Sequence, residues 1–176
     1  LDSDCWEWRT PELISLLAAT APQLQSLLYH YPWWIHGSRV ASALPAAIGQ
    51  LSQLTSLSLI VYDALVTAAQ VDAMVKGLPS LQLLDLKGDD AFLADGFPVG
   101  IAVSCSQLQH LCIETGFSGG IPALELGRLT RLTHLMLKSC YMNLPASISR
   151  LTGLRNVVLA DFFGGKKLPE QLWHLE

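Results

Sequence analysis

Residues 129–159, LTRLTHLMLKSCYMNLPASISRLTGLRNVVL, carry one pattern written twice. Apolar side chains fall at Leu129, Leu132, Leu135 and Leu137, then at Leu151, Leu154, Val157 and Leu159, each 22 positions further on. A helix or a strand repeats far more tightly than that. The copied unit is therefore a whole supersecondary element, which is the sequence mark of a solenoid. Each copy can bury its apolar face only against the next, so function is to be sought on a repeated surface.

The same L-x-x-L-x-x-L-x-L template recurs at Leu51, Leu54, Leu57 and Leu59, at Leu78, Leu81, Leu84 and Leu86, and at Cys105, Leu108, Leu111 and Ile113. A weaker copy surrounds Leu24 and Leu27, and a broken one begins at Leu168. Over nearly its whole length the chain resembles the leucine-rich-repeat family. That resemblance implies an α/β fold: a curved right-handed leucine-rich-repeat solenoid with a parallel β-sheet on the concave face and short helices and turns on the convex face. Residues 1–176 are expected to form a single leucine-rich-repeat domain of about six repeats.

The segments between templates resemble more than one class. LPAAIGQL (44–51), LPASISRL (144–151) and LPEQLWHL (168–175) look like the convex part of intracellular-type repeats. FSGGIPALELG (117–127) looks like the plant-specific class with one extra residue before Gly127, and PQLQSLLY looks like a repeat of F-box proteins. The mixture implies a source in the green lineage, a plant or green alga.

With 176 residues, 51% of them hydrophobic, the chain can bury a sizeable core. A net charge of −4 gives no broad basic surface, so nucleic acid is not an expected partner. No apolar run approaches the roughly 18 residues of a membrane span. Of the four cysteines, Cys105 stands at a template leucine and Cys140 where the family usually places Asn, so both are expected as buried thiols. Neither Asn143 nor Asn156 begins an N-x-S/T acceptor. Reduced thiols and no glycan suit an intracellular, cytoplasmic protein.

Along the chain, Thr10 and Pro11 suit a helix start, with the helix running to about Ala19 and stopping before Pro22. Thr67 and Gln70 have capping-box spacing, which predicts a helix over 68–76 with Gly77 as its left-handed end. Successive strand leucines 24, 54, 81, 108, 132 and 154 lie 30, 27, 27, 24 and 22 residues apart. Coils therefore shorten toward the C-terminus, and helices should give way to turns. The last segment, LPEQLWHLE, supplies the convex half of a further repeat and no polar cap, so the 176 residues are expected to be part of a longer protein. The family's usual Asn column after each strand reads Tyr62, Asp89, Gly116, Cys140 and Phe162, so other groups must satisfy the buried backbone there.

Between the template leucines, residues face the other side of a period-two strand. They form three columns: Ser26, Ser56, Leu83, His110, His134, Asn156; Leu28, Ser58, Asp85, Cys112, Met136, Val158; and His30, Ile60, Lys87, Glu114, Lys138, Ala160. Strands about 4.8 Å apart make each column a ladder of touching side chains. Lys87, Glu114 and Lys138 alternate in sign and can pair along the third. Asp85, Lys87, His110, Cys112, Glu114, His134, Met136, Lys138 and Asn156 are thus the candidate contact surface for another protein. Trp33 and Trp34 are candidate anchors at the N-terminal end, where plugging the first coil is the alternative.

His110, Cys112, His134 and Met136 form a two-by-two patch of soft ligands, which raises a metal or redox site as an alternative. A flat strand face suits a tetrahedral ion poorly, and neither His has an acidic residue to orient it, so no metal and no cofactor is expected. The Gly-rich run TGFSGGIP lacks phosphate-loop spacing, and Ser104 and Ser106 lack a nucleophile-elbow pattern. The expectation is a non-catalytic protein-binding or scaffold module. Its family resemblance admits F-box-type substrate recruitment, a fixed subunit of a large complex, or a plant-type receptor ectodomain.

Overall fold

The computed structural model describes residues 10–31, 44, 46–62, 64–115, 126–138 and 145–160. Six strands form one parallel sheet in chain order: β1 (Ser26–Tyr31), β2 (Ser56–Val61), β3 (Leu83–Gly88), β4 (His110–Glu114), β5 (His134–Lys138) and β6 (Asn156–Ala160). Each strand returns to pair with its predecessor after one coil, so sequence neighbours are also sheet neighbours. Helix α1 (Thr10–Thr20) precedes β1, α2 (Ala68–Val75) joins β2 to β3, and α3 (Gly100–Ser104) joins β3 to β4. The 3-10 turns Ala46–Gln50 and Ala146–Arg150 precede β2 and β6.

The template residues make the core. Leu54, Leu57, Leu59, Leu81, Leu84, Leu86, Cys105, Leu108, Ile113, Leu132 and Leu137 are fully buried. Burial alternates along β2 and β4 and along β3 up to Lys87, as period two requires. In β6, Val157 and Leu159 are only half-buried, because the described sheet supplies neighbours on one side alone.

A backbone ladder runs beside this apolar stack. The carbonyl of Gln25 accepts the amides of both Thr55 and Ser56, and the carbonyls of Thr55, Gln82, Gln109 and Thr133 do the same for the next coil, at 2.8–3.1 Å. Each turn into a strand is thus fixed by two donors on one acceptor. At the far end of β3 a local bond replaces the missing Asn: Asp89 Oδ1 accepts the Ala91 amide at 2.9 Å. Phe92 follows with its side chain wholly buried, bridged to Val66 of the preceding coil.

The outer layer is tied from coil to coil. Thr67 caps α2 through its bond with the Gln70 amide, and Gln70 returns one to Thr67, completing the expected capping box. Asp72 of α2 accepts the Gly100 amide at 2.7 Å, while Asp95 accepts the Ala68 amide at 2.8 Å. Burial raises the Asp72 carboxyl above its ordinary value, with the Gly100 amide opposing.

One expectation is corrected here. Gly77 does not adopt the left-handed conformation; Gly96 is the glycine with positive φ among the described residues. Gly77 is instead required by contact, since a Cβ there would lie 1.8 Å from the Gly49 carbonyl oxygen of the neighbouring coil. From β2 onward the described connecting elements shorten as expected, from the 8 residues of α2 to the 5 of α3 and then the 3-10 turn Ala146–Arg150. The described part of the coil before β2 carries the 3-10 turn Ala46–Gln50, where AAIGQ repeats the chemistry of ASISR and includes Gly49, a poor helix former. The α1 boundaries agree with the expected span. Cys140, the segment 117–125 and the segment 168–176 lie outside the described residues, as does most of the expected Asn column.

Candidate inner-face binding site

The strand registers bring the three predicted columns together without a slip: Leu83, His110, His134 and Asn156 pair in sequence, as do Asp85, Cys112, Met136 and Val158, and Lys87, Glu114, Lys138 and Ala160. All nine predicted inner-face residues therefore share one surface. Trp33 and Trp34 lie outside the described residues. At the centre is a shallow concavity of about 320 Å³ spanning β3 to β6, bordered by Leu83, Asp85, His110, Cys112, His134, Met136, Asn156 and Val158.

The two imidazoles stack, with ring centroids 4.2 Å apart and planes 14° from parallel. Burial lowers the His110 pKa below its ordinary value, and the neighbouring His134 lowers it further. The shift favours the neutral form of the His110 ring. His134 Nδ1 lies 2.8 Å from Thr133 Oγ1, whose hydroxyl also reaches the Gln109 carbonyl at 3.1 Å.

The Cys112 thiol lies 3.4 Å from the Met136 sulfur. Burial, then hydrogen bonding to Asp85 and the charge of that carboxylate, pushes its pKa up to about 12. Such a thiol stays protonated, which makes it a poor nucleophile. The nearly parallel rings also send their in-plane lone pairs side by side rather than toward one ion. No group of three or more His, Cys, Asp or Glu among the described residues is arranged to hold a metal.

The charge ladder is corrected in detail. Glu114 pairs with Lys138 at 2.5 Å across strands, but Lys87 turns to Asp85 of its own strand at 2.9 Å. Asp85 Oδ2 also accepts from Ser58, and its hydrogen bond to Lys87 is the main reason that amine's pKa rises. Asp85 is the nearer and more buried carboxylate, so Lys87 takes it. Each pair contributes at most about 1 kcal/mol. Together they leave the inner face with no net charge around the histidines.

Sequence reasoning missed the strand-entry column Gln25, Thr55, Gln82, Gln109, Thr133 and Arg155. A signal existed: every residue directly after a first-strand leucine is polar. Outside the concavity, Leu28 is 65% exposed on the inner face, and Leu13 and Leu16 are 52% and 58% exposed on α1. No helix among the described residues is long and apolar enough to cross a membrane.

The sequence matches no family model and no curated protein. Among solved structures, it is similar to an internalin from Listeria monocytogenes str. 4b F2365, with a TM-score of 0.51 and 17% identity. The match covers 92% of this chain and 48% of the internalin chain, so this chain spans about half that protein's length. At that identity the likeness is one of fold. The fold is the α/β leucine-rich-repeat solenoid implied by the template.

Proposed function

We propose that this chain is a non-catalytic recognition module that binds another protein through the inner face centred on His110, His134 and Met136. The observation that carries the reading is the unbroken register, which gathers the side chains between the template leucines into one open, charge-balanced surface with an apolar concavity. Leu28 and Met136, 65% and 37% exposed there, are apolar groups that a partner would cover. The leucine-rich-repeat fold supports a protein partner in general terms. The geometry favours a contact surface over the metal alternative, because the imidazoles stack with their planes 14° from parallel.

Finer versions rest on the sequence resemblances. In this reading residues 1–176 are a single repeat domain, and the unbroken sheet of described strands supports it. Free thiols at Cys105 and Cys112 support an intracellular, cytoplasmic setting. F-box-type substrate recruitment would require an F-box encoded upstream. A plant-type receptor ectodomain would require a secretion signal and a membrane span in the full gene, and a fixed place in a large assembly would require co-purification with constant stoichiometry.

The test is site-specific photo-crosslinking in cells. A photoreactive residue at position 136 or 156 should give a discrete adduct, and one at Val103, 60% exposed on the outer layer, should not. Adducts at position 103 with none at 136 or 156 would remove the inner face as the binding surface.

A further inference from the structure

Thr133 has one hydroxyl proton and two acceptors in reach, the Gln109 carbonyl at 3.1 Å and His134 Nδ1 at 2.8 Å. An internal comparison decides where the proton goes. Thr55 occupies the equivalent position three coils earlier, where no histidine follows, and its hydroxyl donates to the Gln25 carbonyl at the same 3.1 Å. If Thr133 does likewise, its oxygen is free to accept, and His134 must donate through Nδ1–H. Both short contacts are then hydrogen bonds; the opposite assignment leaves two oxygens facing each other with no proton between them.

We infer that Thr133 holds His134 as the Nδ1–H tautomer, leaving Nε2 as a bare acceptor in the inner-face concavity, and that this acceptor receives the O–H or N–H of a partner's tyrosine or tryptophan. This rests on the recognition reading above and specifies the chemistry of its partner. With the proton on Nδ1 the remaining ring lone pair lies on Nε2, and no other side-chain hydrogen bond of His134 is formed among the described residues. Leu83, Met136 and Val158 offer an apolar border, and the methionine sulfur suits an aromatic edge. Asp85 with Lys87 and Glu114 with Lys138 form ion pairs, so the charges bordering the concavity balance. A volume of about 320 Å³ is at the small end for ligand pockets and suits one large side chain. Aromatic residues with a polar tip meet all of these conditions.

The tautomer is read without any ligand, from the two-bond proton–nitrogen spectrum of histidine-labelled protein at pH 8. The expected result is a protonated Nδ1 and an unprotonated Nε2 for His134, reversed in Thr133→Val, which keeps the shape and removes the hydroxyl. N-acetyltyrosinamide and N-acetylphenylalaninamide are then titrated into the same protein. The tyrosine probe should bind roughly 2- to 10-fold more tightly, the worth of one hydrogen bond. That preference should vanish in Thr133→Val and in His134→Phe, the second of which keeps a ring in the stack. A protonated Nε2 in the wild-type protein, or equal affinity for the two probes, would overturn the inference. Adducts at positions 136 and 156 would in that case still uphold recognition by the inner face, so the two ideas fail separately.

Discussion

Gly77→Ala is expected to destabilise the fold by about 3 kcal/mol or more, at the upper end of overpacking costs. The added carbon would stand 1.8 Å from the Gly49 carbonyl oxygen and 2.7 Å from its carbon. Both are backbone atoms, so no rotamer change can make room, and the coil carrying Ala46–Gln50 must move away from the coil carrying α2. At roughly 2–4 °C per kcal/mol for a chain of this size, the melting temperature should fall by about 10 °C. Gly153→Ala is the control. Its nearest neighbour would be the Leu132 oxygen at 3.5 Å, an ordinary contact, and its backbone is not left-handed. Alanine there should leave stability unchanged or raise it by up to about 1 kcal/mol, through the lost freedom of the unfolded chain. Thermal melts of both variants check the pair, and equal melting temperatures would contradict the packing described.

Phe92→Ala should cost about 3–5 kcal/mol, the range for removing a fully buried aromatic ring. Its side chain has no exposure and lies over Gly88, where a Cβ would stand 2.4 Å from that of Phe92. The residue also closes the turn after β3: its amide bonds to the Asp89 carbonyl, and the next amide, of Leu93, bonds to the Val66 carbonyl at 2.8 Å. Truncation therefore opens a cavity and loosens the junction between two coils. Val103→Ala, at a 60% exposed position, should change stability by less than about 0.5 kcal/mol. Urea titrations that find the two variants alike would place Phe92 outside the core.

These two positions mark where the sequence was legible and where it was not. The stack of Leu57, Leu84, Leu111 and Leu135, and the outward columns between, follow from spacing alone, because period two leaves a strand residue only two ways to point. The 68–76 helix was legible in the same way, because a capping box is a local signal. Gly77 looked like a helix end because its local context is that of one. Its real constraint comes from Gly49, 28 positions earlier, and a one-dimensional pattern does not reveal which backbones approach. Phe92 falls in a non-repeating part of its coil, so no template flagged it.

At the site, the sequence placed His110, Cys112, His134 and Met136 together but not their chemistry. Stacking, the protonated thiol and the Thr133 contact depend on side-chain torsions and local burial. Lys87 illustrates the same limit: register brings it beside Glu114, yet Asp85 two residues away on the same face captures it.

The account depends on which side chains of β5 face out, and a cysteine scan across that strand asks this directly. Single cysteines placed at positions 134 to 138 are labelled with a thiol reagent under native conditions and read peptide by peptide. Met136→Cys and Lys138→Cys should label readily, while Leu135→Cys and Leu137→Cys should react at least about tenfold more slowly, since reaching them needs local opening. Labelling at 135 and 137 as fast as at 136 would contradict the inward leucine stack, and with it the inner face as a place for recognition.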